Sequence, residues 1–238
     1  MVGFTTLALS ALLSSLATSS PISSPSSLLP TKRQITCVPS SGLYILVARG
    51  SNQPEGEGSV GPVANLIEAQ LAGSYSHAID YPATIISWES NYFSSVEDGI
   101  EDTKKSIQEY VAACGEDARI ALIGYSQGGN VMTDTLAGGT GKPEPIAESY
   151  RKNIVGVAVF ADPRFNAGKA YSRGTSTEDG IFGRDSSAAA LDTWADVLVS
   201  YCDADDLFCA SGGSLDVHYA AVEKYSQQAA DFIIGLAM

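Results

Sequence analysis

The stretch Arg119-Ile120-Ala121-Leu122-Ile123-Gly124-Tyr125-Ser126-Gln127-Gly128-Gly129-Asn130-Val131 decides the fold. It opens as a continuous apolar run of strand length and passes into a segment with helical spacing through Ala137. Between them sits Gly-x-Ser-x-Gly. A bare motif of this kind carries little weight, but its setting carries more. A serine at a sharp strand-to-helix turn is held in a strained conformation with its oxygen exposed, and small residues at 124 and 128 keep the turn from colliding with itself. The backbone N–H of Gln127, at the helix start, then faces the place where an oxyanion would develop. Ser126 is therefore the candidate nucleophile.

Outward from this turn, short apolar runs alternate with segments of helical period. Strands are expected at Leu43–Ala48, Ile85–Trp88, Arg119–Gly124, Ile154–Phe160 and Val197–Tyr201. Helices are expected over 62–72, Ser95–Ala113, Asn130–Ala137 and Tyr219–Leu236. The stretch 138–152 reads as a loop, and 168–192 has no clear pattern. Strands that are apolar throughout and alternate with helices imply an α/β fold, a largely parallel sheet covered on both faces.

A serine hydroxyl needs a base, and the chain has only two histidines, His77 and His218. In folds built on such a turn the order is serine, acid, histidine, which excludes His77 and leaves His218. Asp203, Asp205 and Asp206 all follow the strand ending at Tyr201 and all fit the acid's place; spacing does not rank them. Asp216, two residues from His218, has an awkward reach.

The chain has 238 residues and a formal net charge of −13. Residues 1–33 hold two bases and no acid, so without them 12 bases face 27 acids and the charge is −15. Such a chain is repelled by phosphate backbones, so nucleic acid is not an expected partner. With 45% hydrophobic and 17% charged residues the chain is not of disordered type. No metal is expected, because no close Cys or His pairs of zinc-finger type occur, and no run of 18 apolar residues spans a membrane. Residues 1–20 read as a secretory signal peptide, with an apolar stretch from Leu7 to Leu16 and small residues at Ala17, Thr18 and Ser19. Residues 21–33 form a Ser/Pro-rich propeptide ending in the dibasic Lys32-Arg33, which leaves 34–238 as one catalytic domain.

In an oxidising compartment the even set Cys37, Cys114, Cys202 and Cys209 reads as two disulfides, with three possible pairings. Cys202 and Cys209 lie close enough to close a short loop, which leaves Cys37 for Cys114. By the loop-entropy relation these bridges contribute about 2.5 and about 4.5 kcal/mol.

Together, Ala48-Arg49-Gly50-Ser51, Gly124-Tyr125-Ser126-Gln127-Gly128-Gly129, Cys202-Asp203-Ala204-Asp205-Asp206-Leu207-Phe208-Cys209 and His218 resemble the cutinase and acetylxylan esterase family of secreted fungal serine esterases. The resemblance runs from Cys37 to about Ile234. It implies an α/β-hydrolase fold without a large lid and a Ser126–His218–Asp206 triad. It also implies a second oxyanion donor from Ser51 beside Gln127, the same two disulfides, no cofactor, and an extracellular monomer acting on an ester substrate. Ala48-Arg49-Gly50-Ser51 and the four-cysteine count resemble the cutinases. Ala78-Ile79-Asp80-Tyr81-Pro82-Ala83, Gly128-Gly129, Asp162-Pro163-Arg164-Phe165-Asn166-Ala167-Gly168 and Ser200-Tyr201-Cys202-Asp203-Ala204 resemble the acetylxylan esterases. The mostly polar stretch Ala210–Val217 beside His218 points toward a hydrated polysaccharide bearing acetyl groups and away from a wax. A cutinase acting on cutin-like polyester is the alternative, and an inactive binding protein on the same fold is a second.

Overall fold

The structure, a computed structural model, describes residues 1–3, 35–87, 91–139, 141–184 and 187–238. The expected signal peptide and Lys32-Arg33 fall almost wholly outside these residues. The sheet lies within the unit Ile35–Met238.

Six strands form one sheet: β1 (Tyr44–Ala48), β2 (Tyr75–Ala78), β3 (Ile120–Tyr125), β4 (Ile154–Phe160), β5 (Ser172–Arg173) and β6 (Leu198–Tyr201). Their order is β2-β1-β3-β4-β6-β5, and every neighbouring pair is parallel. The inner strands are apolar throughout because both faces are covered. Ile45 and Val47 point into one core with Ile123 and Phe160, while Tyr44, Leu46 and Ala48 point into the other with Leu122 and Val159.

Helices α1 (Gly61–Gln70) and α5 (Leu215–Ala237) cover the first face through Val63, Ile67, Ala229 and Ile233. Helices α2 (Tyr92–Cys114), α3 (Gln127–Ala137) and α4 (Ser187–Asp192) cover the second through Ile100, Ile107, Met132 and Leu191. This helix–sheet–helix arrangement is the α/β architecture expected from the alternating pattern. Cys37 is bridged to Cys114 and Cys202 to Cys209.

Three sequence expectations need correction. The second strand is Tyr75–Ala78, not Ile85–Trp88. It is an edge strand whose residues are all half-buried, so it lacks the apolar run that marks the inner strands. Ile85 and Ile86 are exposed and sit outside any strand, and Trp88 lies outside the described residues. The last helix begins at Leu215, so His218 lies in its first turn and not before it. Ser214 caps that helix by accepting from the N–H of Val217 at 3.2 Å. The uncharacterised 168–192 region supplies β5 and α4, and 138–152 ends in a 3-10 helix, Glu148–Asn153.

Candidate active site

Ser126, Ser51 and Asp206 all follow the carboxyl ends of strands, β3, β1 and β6 respectively. That end of a parallel sheet is where α/β folds place their sites.

Ser126 has φ 53° and ψ −117°, a conformation that L side chains rarely adopt. The surroundings enforce it. Its N–H donates to the carbonyl of Phe160 at 2.8 Å, and its own carbonyl accepts from Asn130 at 3.1 Å. A Cβ on Gly124 would sit 2.3 Å from the Gly128 oxygen, and one on Gly128 would sit 2.0 Å from the Ala48 oxygen. No side chain fits at either position, which is the physical content of Gly-x-Ser-x-Gly here. Gln127 is the first residue of α3, so its N–H belongs to the donors that a helix leaves without an internal acceptor.

His218 is almost fully buried. Its Nε2 lies 3.0 Å from Ser126 Oγ and its Nδ1 lies 3.0 Å from both oxygens of Asp206. The Tyr125 ring is 5.2 Å from the imidazole and the Phe208 ring meets it edge-on at 4.7 Å, which restricts its rotation. Burial pushes the Tyr125 phenol well up, so it stays protonated and donates to the His218 carbonyl at 3.3 Å.

The three loop aspartates, equivalent by spacing, are separated by their partners. Asp206 is buried; its Oδ1 accepts from the N–H groups of Phe208 at 2.8 Å and Cys209 at 2.9 Å, and it faces His218. Asp205 takes positive φ, 69°, and accepts from the N–H of Gly213 at 2.9 Å, so it shapes the loop. Asp203 turns away: it accepts from Lys224 at 2.5 Å, from Tyr225 at 2.7 Å and from the Thr175 hydroxyl at 3.0 Å.

Burial pushes the Asp203 carboxyl up, but the bonds from Lys224, Tyr225 and Thr175 together outweigh it and hold it below its ordinary value. A carboxyl depressed in the folded state contributes stability above its unfolded pKa, about 3.9, and loses it as pH falls through the folded value. Asp203→Asn is therefore expected to lower the thermal midpoint at pH 7 and to lower it less at pH 3, with little effect on turnover. Thermal unfolding at the two pH values checks this, and a gap of equal size at both would contradict it.

Two residues at the site were given no role by the sequence reading. Arg49, a guanidinium at the end of a buried strand, is itself buried. It donates to the carbonyls of Gln53 at 3.1 Å, Ile79 at 3.4 Å and Tyr81 at 2.6 Å, and Tyr81 donates back to the Arg49 carbonyl. It ties the Ser51 loop to the segment after β2. The signal was present, since a buried charge must find partners. Gln53 accepts from the N–H of Gly50 at 3.0 Å and closes the same loop.

A cleft of about 300 Å³ opens over Ser126 and His218. Ser51 and Gln53 lie on it, and its walls are Ile85, Ile86, Leu207, Phe208, Leu215 and Tyr219. Of the polar stretch Ala210–Val217, only Leu215 reaches this cleft. The rim is therefore apolar, and the inference from that stretch to a hydrated substrate loses its footing.

The fold is that of an α/β hydrolase. The family model for cutinase matches residues 39–236, and the chain belongs to that family. It is 32% identical over 202 residues to acetylxylan esterase 2 of Talaromyces purpureogenus, covering 80% of this chain and 85% of that protein. It is 30% identical over 203 residues to cutinase 11 of Verticillium dahliae, covering 80% and 67%. A solved structure of an acetyl xylan esterase superposes with a TM-score of 0.77 at 28% identity, covering 85% of this chain and all of the other (100%). The protein is an esterase.

Proposed function

We propose that the chain is a serine carboxylic-ester hydrolase working through an acyl-enzyme, with Ser126 as nucleophile, His218 as general base and then acid, and Asp206 as the group that orients the imidazole. The observation that carries this reading is the unbroken run of contacts from Ser126 Oγ to His218 to Asp206, each 3.0 Å, at the floor of a cleft. His218 Nε2 takes the serine proton as the oxygen attacks the ester carbonyl, and returns it to the leaving alcohol. The carboxylate at Nδ1 fixes the tautomer that makes this possible and stabilises the imidazolium. The N–H of Gln127 and a donor from Ser51 hold the oxyanion. Water then takes the alcohol's place, and the same histidine drives the second half.

For the substrate, the apolar walls support esters of short to medium acyl chains, as in cutin-like polyesters. A second reading, deacetylation of plant cell-wall polysaccharide, is supported by the names of the relatives. Burying a methylene is worth about 0.8 kcal/mol, so each added carbon that lies against the walls raises kcat/KM by up to about fourfold. A series of p-nitrophenyl esters from acetate to palmitate, run beside acetylated xylan and cutin, separates the readings. The apolar cleft predicts a rise from acetate to octanoate. A fall beyond acetate, with efficient release of acetate from xylan, would move the protein to the polysaccharide reading.

Secretion belongs to the same proposal, with cleavage of a signal peptide near residue 20 and of the propeptide after Arg33. The two disulfides support it, because such bonds persist in oxidising compartments. The working form is proposed to be a monomer.

A further inference from the structure

The cleft wall that carries Ile85 and Ile86 belongs to no strand or helix, yet it stands in a defined place. Its anchor is Thr84. The N–H of Thr84 donates to Ser95 Oγ at 3.0 Å, and its carbonyl accepts from Gln127 Nε2 at 2.7 Å. Ser95 Oγ in turn donates to Gln127 Oε1 at 3.0 Å. Three bonds thus close a ring between the start of α2, the start of α3 and the wall. Gln127 is completely buried and Ser95 nearly so. Backbone groups outside regular structure need partners when buried, and here two side chains supply both. The residue before the anchor, Ala83, has φ 51°, a non-glycine held in the left-handed region. Its carbonyl accepts from the N–H of Asn52 at 2.7 Å, beside Ser51.

We infer that the Gln127 side chain, with Ser95, is a positioning device that sets the Ile85–Ile86 wall as the surface against which an acyl chain extends, and thereby the chain-length preference of the esterase. One residue then serves two ends of the substrate, its backbone N–H the oxyanion and its side chain the wall. The inference rests on the ester-hydrolase reading of the same cleft and adds the group that specifies the acyl chain. The chemistry selects an amide. It donates at one end and accepts at the other, where an ionised carboxylate only accepts and an alkyl group does neither. Ile85 and Ile86 are 55% and 37% exposed, so packing holds them less firmly than a core residue if the ring opens. A longer acyl chain then loses its wall, whereas an acetyl group ends close to Ser126 and does not extend along that wall.

The test reads the ratio of kcat/KM for p-nitrophenyl octanoate to that for the acetate. Dividing the two removes effects on the triad and the oxyanion donors that the esters share. The wild type should give a ratio above one. In Ser95→Ala and in Gln127→Glu the ratio should fall by about tenfold or more. In Gln127→Glu it should recover as pH is lowered, because the protonated carboxyl regains a donor for the Thr84 carbonyl, while the wild-type ratio stays level. Equal losses on both esters, with no pH dependence of the ratio in Gln127→Glu, would overturn the inference by reducing the ring to general support. A wild-type ratio at or below one would also overturn it. If Ser95→Ala does not fold, the pH-dependent ratio of Gln127→Glu decides alone. Absence of any ester turnover by the wild type is a different failure and would count against the hydrolase reading itself.

Discussion

Ser126→Ala is expected to lower kcat by at least about three orders of magnitude while leaving the fold intact. The chemical loss follows from geometry: Oγ is the atom 3.0 Å from His218 Nε2, and no other hydroxyl stands in contact with that nitrogen among the described hydrogen bonds. The structural loss is small. Alanine keeps the Cβ, so it meets the same strain at φ 53° that serine already bears, and residue 126 donates to Phe160 and accepts from Asn130 through backbone atoms that alanine keeps. The check is steady-state turnover beside labelling by a serine-directed organophosphate, with thermal unfolding to confirm folding. Wild type should take up one equivalent and the variant none. Near wild-type turnover by a folded variant would remove Ser126 from the mechanism.

Asp206→Asn should also be severe, about four orders of magnitude, for a reason its surroundings dictate. Oδ1 accepts from two backbone N–H groups, at Phe208 and Cys209. An asparagine must put its oxygen there, because its NH2 would face two donors. The NH2 then takes the place of Oδ2, 3.0 Å from His218 Nδ1, and favours the tautomer in which that nitrogen accepts, since the oxygen at the Oδ1 place, equally near, is already occupied by two N–H donors. The proton moves to Nε2, where a base is needed. Asp205→Asn should be mild, since asparagine also accepts from Gly213 and tolerates positive φ. Kinetics of the two variants side by side decide the matter. A crippled Asp205→Asn with an active Asp206→Asn would shift the acid by one residue.

The turn at Ser126 was legible because its requirements are local: two glycines whose missing side chains the neighbouring backbone demands, between a buried strand and a helix. The inner strands were legible because burial on both faces leaves an apolar run. The edge strand at Tyr75–Ala78 was not, since half-buried residues carry no such mark, and the apolar pair Ile85-Ile86 drew the assignment instead. Those isoleucines are apolar because they line a cleft, a demand that mimics a buried strand in sequence. The rim was misread for a related reason. It is assembled from residues far apart in the chain, Ile85, Leu207 and Tyr219 among them, so the neighbours of His218 in sequence say little about its neighbours in space. The acid could not be ranked by spacing because all three aspartates share one small loop. What distinguishes them is which backbone N–H groups and which cation each one meets.

The all-parallel sheet has a bearing on how the chain reaches its native state. No two neighbouring strands are joined by a hairpin, and the pair at the centre of the first half, β1 and β3, sets Tyr44 opposite Ile120. Pairings of this kind close long loops before any contact rewards them, so folding is slow and apolar strands stay exposed meanwhile. The bridge from Cys37 to Cys114 spans 77 residues and joins points just ahead of these same two strands. Formed before the sheet, it holds β1 and β3 near each other and shortens that search. A bridge that forms in that order guides assembly as well as stabilising the finished domain, and a chain kept reduced would linger in the state most prone to aggregation.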